Sequence, residues 1–118
     1  MRLISFSLTT PQIRARTKDV TRRMGWDYLK VGERLVACEK VMGRKNGQPI
    51  VRLCIIEVVS VRKEPLYTMV ANPSYGAVEC RREGFPHYSP SEFVDFFCAS
   101  HKGCTPDKSI TRIEFKYV

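Results

Sequence analysis

Hydrophobic positions along the chain change period several times, and each change marks an element. Leu3 to Leu8 alternates, with Ile4, Phe6 and Leu8 on one face and Ser5 and Ser7 on the other, which is the period of a half-buried strand. Thr10-Pro11 then places a capping residue before a proline suited to the first helical turn, so a short helix is expected over 11–17. Val20 and Thr21 are β-branched and Gly25 breaks the run, so 18–23 reads as a short extended segment. Val31-Gly32-Glu33 turns the chain into a strand over 34–41. Arg44-Lys45-Asn46-Gly47 is a tight-turn signal, because Asn-Gly tolerates positive φ. Residues 34–62 therefore read as a hairpin whose second arm, 50–62, is apolar on both faces and central.

The stretch 64–87 has no period and contains Pro65, Pro73, Gly76, Gly84 and Pro86, so it reads as an irregular, site-forming loop. Ser89-Pro90-Ser91-Glu92 is a capping box that opens a helix over 90–100, with Phe93, Phe96 and Phe97 as its buried stripe. Thr111, Ile113, Phe115 and Tyr117 alternate with charged residues in a closing strand. Five or so strands with two or three short helices predict an α+β chain built on a small mixed or antiparallel β-barrel.

At 118 residues the chain has room for one core, so 1–118 is read as a single domain. The net charge is +8, and half of the excess lies in one segment, where Arg14, Arg16, Lys18, Arg22 and Arg23 face only Asp19. Such clustering favours a polyanionic partner, while the plain alternative is a solvated basic face. No window is long and apolar enough to span a membrane, and the opening residues lack a signal-peptide pattern, which predicts a cytoplasmic protein. Five cysteines at irregular spacing read as reduced thiols.

Lys18-Asp19-Val20-Thr21-Arg22-Arg23 forms a Lys-x-x-Thr-x-Arg string after a short helix, and Glu83-Gly84-Phe85-Pro86 follows later in the chain. Both elements, in this order, resemble the signature of ASCH domains, which are PUA-like barrels. The likeness spans essentially the whole chain. It implies RNA or a modified nucleoside as partner, with no cofactor and no membrane or protein partner. Some small members hydrolyse the acetyl amide of N4-acetylcytidine through residues that match Lys18, Thr21 and Glu83; others resemble RNA binders or ribonucleases. The family pattern also gives a pocket role to Arg23. The stretch Trp26-Asp27-Tyr28 and the longer segment before Glu83 depart from the smallest amidohydrolases, and both would reshape a pocket.

The chemistry is legible without the family. A lysine among arginines is pushed toward its neutral form, which makes Lys18 a candidate general base, Thr21 a candidate nucleophile and Glu83 a candidate positioning or proton-transfer group. Arg22 and Arg23 should point to opposite faces of an extended segment. Arg14 and Arg16 are candidates for backbone phosphates, and Trp26 and Tyr28 for base stacking, although Trp26 is equally suited to plugging the barrel. Taken singly, each residue also has a structural explanation: packing for Thr21, a helix-end cation for Lys18, an arginine partner for Glu83. Cys98, His101 and Cys104, with Cys80 or His87 as a fourth ligand, form a weak alternative zinc set, because paired ligands are missing at one end.

Overall fold

In the computed structural model, which describes residues 1–43 and 45–118, the described residues form five strands and four helices. The strands are β1 (Arg2–Ser5), β2 (Val20–Arg23), β3 (Arg34–Cys38), β4 (Arg52–Pro65) and β5 (Ser109–Tyr117). The helices are α1 (Thr10–Arg14), α2 (Thr68–Ala71), α3 (Pro73–Arg82) and α4 (Pro90–Ala99). The sheet order is β1-β3-β4-β5-β2. Only the β1/β3 pairing is parallel; the others are antiparallel, so the sheet is a mixed half-barrel of the α+β class.

β1 and β2 are the two edges, and they face each other across the open seam of the half-barrel. One side chain bridges them: Arg23 Nη2 donates to the Ser5 carbonyl at 2.6 Å, and its guanidinium lies 4.8 Å from the centre of the Phe6 ring. Two apolar clusters fill the molecule. Ile4, Phe6, Ile13, Leu35, Ile56, Ile113 and Phe115 pack inside the sheet. Leu66, Met69, Cys80, Phe93, Val94, Phe97 and Ile110 join the helices to the far end of β4 and β5.

Several expectations change. Residues 64–87 are not an irregular loop: β4 runs on to Pro65, and α2 and α3 occupy much of the rest. The start of α3 repeats the cap-then-proline pattern seen before α4, with Asn72 Oδ1 accepting from the Tyr75 backbone and Pro73 in the first turn. The helices of the described residues therefore number four. β3 and β4 pair antiparallel as expected, but positions 39–51 intervene, so no two-residue turn joins them. A turn does form at 45–48, where Gln48 N donates to Lys45 O at 2.9 Å and Gly47 takes φ +80°; the Arg44 part of that motif lies outside the described residues. β1 ends at Ser5, and Leu8 is 60% exposed rather than on the buried face. The first helix ends at Arg14, short of the expected 17. β4 starts at Arg52 and is only half-buried in its middle, with Val59 exposed. The capping box at Ser89 and Glu92 forms as expected.

A candidate nucleobase pocket at the seam

Strand β2 alternates, and the alternation sorts its charged residues. Thr21 and Arg23 share one face, with Arg23 Nε donating to Thr21 Oγ1 at 3.1 Å. Arg22 points the other way, into a buried set of carboxylates. It donates to Glu83 Oε2 at 3.0 Å, to Glu64 Oε2 at 3.0 Å and to Glu79 Oε1 at 2.6 Å. Arg112, its cross-strand partner on β5, closes on Glu79 from a second side with Nε at 2.5 Å and Nη2 at 3.1 Å. Tyr75 donates to Glu64 Oε1 at 2.8 Å. Burial pushes the Glu79 carboxyl up, but the hydrogen bonds and charges of Arg112 and Arg22 reverse that and hold it at about 2. The Nε of Arg22 is the one buried side-chain polar atom without a partner among the described residues.

Glu83 connects this set to the other face. It caps the C-terminus of α3, and its Oε1 accepts from Lys18 Nζ at 2.7 Å while its carbonyl accepts from the same ammonium at 2.8 Å. Lys18 is only 2% exposed. Burial lowers its pKa from the ordinary lysine value; Glu83 opposes that shift, and the charges of Arg23 and Arg22 add to it. The next residue, Gly84, has φ +94°, and a Cβ there would sit 2.8 Å from Gln12 Cγ. Glycine at this point lets the helix end approach α1 closely, where Gln12 Nε2 donates to the Gly84 carbonyl at 3.2 Å. Together with the bond from Asp19 N to Arg82 O at 3.0 Å, this contact holds Glu83 against Lys18.

Lys18, Thr21, Arg23 and Glu83 line a single cavity of about 240 Å³ at the seam. Much of the rest of its wall is aromatic: Phe6 from the sheet, Phe85 after α3, Phe93, Phe96 and Phe97 from α4, and His101 beyond it, with Arg22 and residues of the 5–9 segment also contributing. Drug-sized ligands occupy roughly 300–1,000 Å³, so this space suits a small planar group with polar edges. Thr21 is 3% exposed, and its hydroxyl accepts from Arg23 while no acceptor takes its proton among the described residues. Arg23 makes no ion pair among the described residues; its two hydrogen bonds go to neutral oxygens. Burial pushes its pKa down to about 10, with Glu83 pulling the other way, so it is cationic at neutral pH.

Of the remaining sequence candidates, Arg22 borders the same cavity, but its guanidinium is bonded to three carboxylates. Arg14 is exposed, 3.7 Å from Glu39. Arg16 is exposed with its guanidinium 5.2 Å from the centre of the Tyr117 ring. Trp26 stacks on Tyr28 at 5.7 Å and packs against the sheet cluster, in keeping with a plug, while Tyr28 is exposed beneath Arg2. Phe93 and Phe97 are core residues as expected, whereas Phe96 is half-buried, and all three also line the cavity. Cys98 and Cys104 are free thiols 3.3 Å apart, and His101 Nδ1 is bonded to the Phe97 carbonyl at 2.8 Å. No group of three or more metal-ligating side chains is assembled among the described residues. Sequence reasoning missed Phe85, Ser5 and His101 as wall residues, and missed Glu64, Glu79 and Arg112 as the partners of Arg22. The spacing of Glu79 and Glu83, one helical turn apart, was the available signal once α3 is recognised.

No family model matches the chain, and no curated protein matches it. Solved structures do match. The fold aligns with an ASCH domain from Lactobacillus crispatus at TM-score 0.62 and 17% identity, covering 98% of this chain and 79% of that one. It aligns with an ASCH protein from Zymomonas mobilis at TM-score 0.58 and 15% identity, covering 97% and 66%. The hypothetical protein PH0355 aligns over the full length of both chains at TM-score 0.66 and 14% identity. The chain has an ASCH-like, PUA-like α+β fold. No helix among the described residues is long and apolar enough to cross a membrane.

Proposed function

We propose that the protein takes a nucleobase, from RNA or from a modified nucleoside, into the seam cavity, and that Lys18, Thr21 and Glu83 hydrolyse an N4-acyl amide on a cytosine ring. One observation carries this reading: four polar side chains from three separate segments converge on an aromatic-walled cavity of nucleobase size. Aromatic walls favour a planar ring, and a polar floor reads its edge.

In this scheme Thr21 Oγ attacks the acyl carbon as its proton passes to neutral Lys18 Nζ. The C–N4 bond then breaks, N4 takes the proton back from Lys18, and cytosine leaves an acyl ester on Thr21. Water, deprotonated by Lys18, attacks the ester; the C–Oγ bond breaks, Lys18 returns the proton to Thr21 Oγ, and the acid leaves. Glu83 positions Lys18, and the Arg23 bond to Thr21 Oγ1 favours negative charge on that oxygen.

A second reading, binding without turnover, is favoured by one feature. Both Lys18 hydrogen bonds go to Glu83 and the Thr21 bond goes to Arg23, so no base-to-nucleophile bond is made. Incubation with N4-acetylcytidine separates the two. The hydrolase releases acetate and cytidine, and Lys18→Ala abolishes both products. Binding of the nucleoside without acetate release leaves the second reading.

A further inference from the structure

A second concave surface lies behind the same wall. Residues 16–19 and 81–84 separate the seam cavity from an open groove of about 500 Å³. Arg16, Arg81, Arg82 and Lys116 line the groove against one acid, Asp19, and Tyr117 forms part of its floor. Three stretches distant in sequence thus bring four cations together. Arg82 is neutralised, bonded to both Asp19 carboxylate oxygens at 3.0 and 3.1 Å and to Glu114 at 3.0 Å. Lys116 lies 3.4 Å from Glu57. Arg16 and Arg81 are exposed and make no ion pair among the described residues.

Arg16 carries a second, independent signal. Helix α1 ends in a Schellman motif: Ala15 is the C-cap, Arg16 N donates to Ile13 O at 3.1 Å and Thr17 N to Gln12 O at 3.0 Å. The position after the cap requires positive φ and is normally glycine; here Arg16 holds φ 59°. That backbone delivers its guanidinium over Tyr117, whose hydroxyl donates to the Lys18 carbonyl at 2.5 Å. The left-handed backbone thus projects a cationic side chain from a position where glycine is the relaxed choice.

We propose that this groove is a phosphate track, in which Arg16 and Arg81 hold the backbone of the single-stranded RNA whose base enters the seam cavity. It rests on the reading of that cavity as a nucleobase site. Tyr117 joins groove and cavity through Lys18, so one strand passing over the 16–19 wall meets both.

The test is fluorescence anisotropy with a labelled oligouridylate across a salt series, on the full chain. The double variant Arg16→Gly, Arg81→Ala is expected to bind at least tenfold more weakly. Its slope of log affinity against log salt should fall by about 1.4, at roughly 0.7 for each phosphate that is no longer neutralised. The variant should melt no lower than wild type, because glycine suits the cap, so unfolding does not explain the weaker binding. A control with the same charge removed at two exposed sites outside either cavity, Lys30→Ala with Lys108→Ala, should keep its affinity. Equal weakening in control and test variants, unchanged binding in the test variant, or no binding by wild type would each overturn the groove. Acetate release from N4-acetylcytidine by wild type, which involves no phosphate, reports on the cavity separately, so failure of the groove and failure of the cavity reading are distinguishable.

Discussion

Arg22 and Arg23 are adjacent on one strand and live in opposite electrostatic worlds. Arg22 is met by Glu64, Glu79 and Glu83, and Arg112 shares Glu79 with it. Among the described residues Arg23 makes its hydrogen bonds to the Thr21 hydroxyl and a backbone carbonyl, its guanidinium lies over Phe6, and it lines the cavity without an ion pair. A buried cation surrounded by carboxylates has its charge already compensated and serves the fold. One held by neutral oxygens beside an open space still has charge to offer a ligand. Under the proposed function the two faces of β2 divide mainly between stability and binding, and Glu83 belongs to both, through Oε2 to Arg22 and Oε1 to Lys18.

The comparison can be broken from the structural side first, where the effect is largest. Glu79→Ala leaves Arg22 and Arg112 buried without their shared carboxylate, a change expected to cost about 3–5 kcal/mol. Chemical denaturation should show it as a large drop in midpoint. On the other face, Lys18→Ala is expected to lower acetate release by about 10²–10⁴, measured under saturating N4-acetylcytidine. Arg23→Gln removes a cation that leaves no carboxylate stranded. Its stability cost should stay near that of its two hydrogen bonds, about 1–3 kcal/mol, while nucleoside affinity falls.

The two faces also separate by pH, in opposite directions. Glu79 is held at about 2, below the ordinary glutamate value of 4.5, so the unfolded chain binds the extra proton between those values. Its stabilisation is complete above about pH 4.5 and is lost as pH falls toward 2, which acid titration of the melting temperature should trace. Lys18 shifts downward instead, from the ordinary lysine value of 10.5. Its neutral, basic form should accumulate below the ordinary lysine range, and the rate should rise with pH and level off before pH 10.5. The smallest expected effect is Arg16→Gly, which relieves a left-handed arginine and should raise stability by up to about 1 kcal/mol.

How much of this was readable follows from the range of each interaction. Local signals held: the alternation of β2 that opposes Arg22 to Arg23, the Ser89 capping box, and the alternating β5. The pairing of Lys18 with Glu83 was legible only through the order of the two motifs, since no local rule brings positions so far apart together. Helix α3 was missed because Pro73 and Gly76 read as loop formers. Yet Pro73 sits in the first turn, where proline is tolerated. At Gly76 a Cβ would lie 2.1 Å from the Met69 carbonyl, so that glycine permits close packing rather than breaking the helix. Missing α3 hid Glu79, and with it the reason the Arg22 guanidinium, which borders the cavity, is tied up by buried carboxylates. The cavity walls Phe85 and His101 were not readable, because they are assembled by packing of α4 against the seam.

Thr21 stands at the centre of the functional face, so the most direct measurement is acetate release from N4-acetylcytidine by wild type, Thr21→Ser and Thr21→Ala at matched melting temperature. The account predicts turnover by wild type, measurable turnover by Thr21→Ser, and a drop of at least about 100-fold in Thr21→Ala. Undiminished acetate release by a folded Thr21→Ala, or none from wild type, would contradict it.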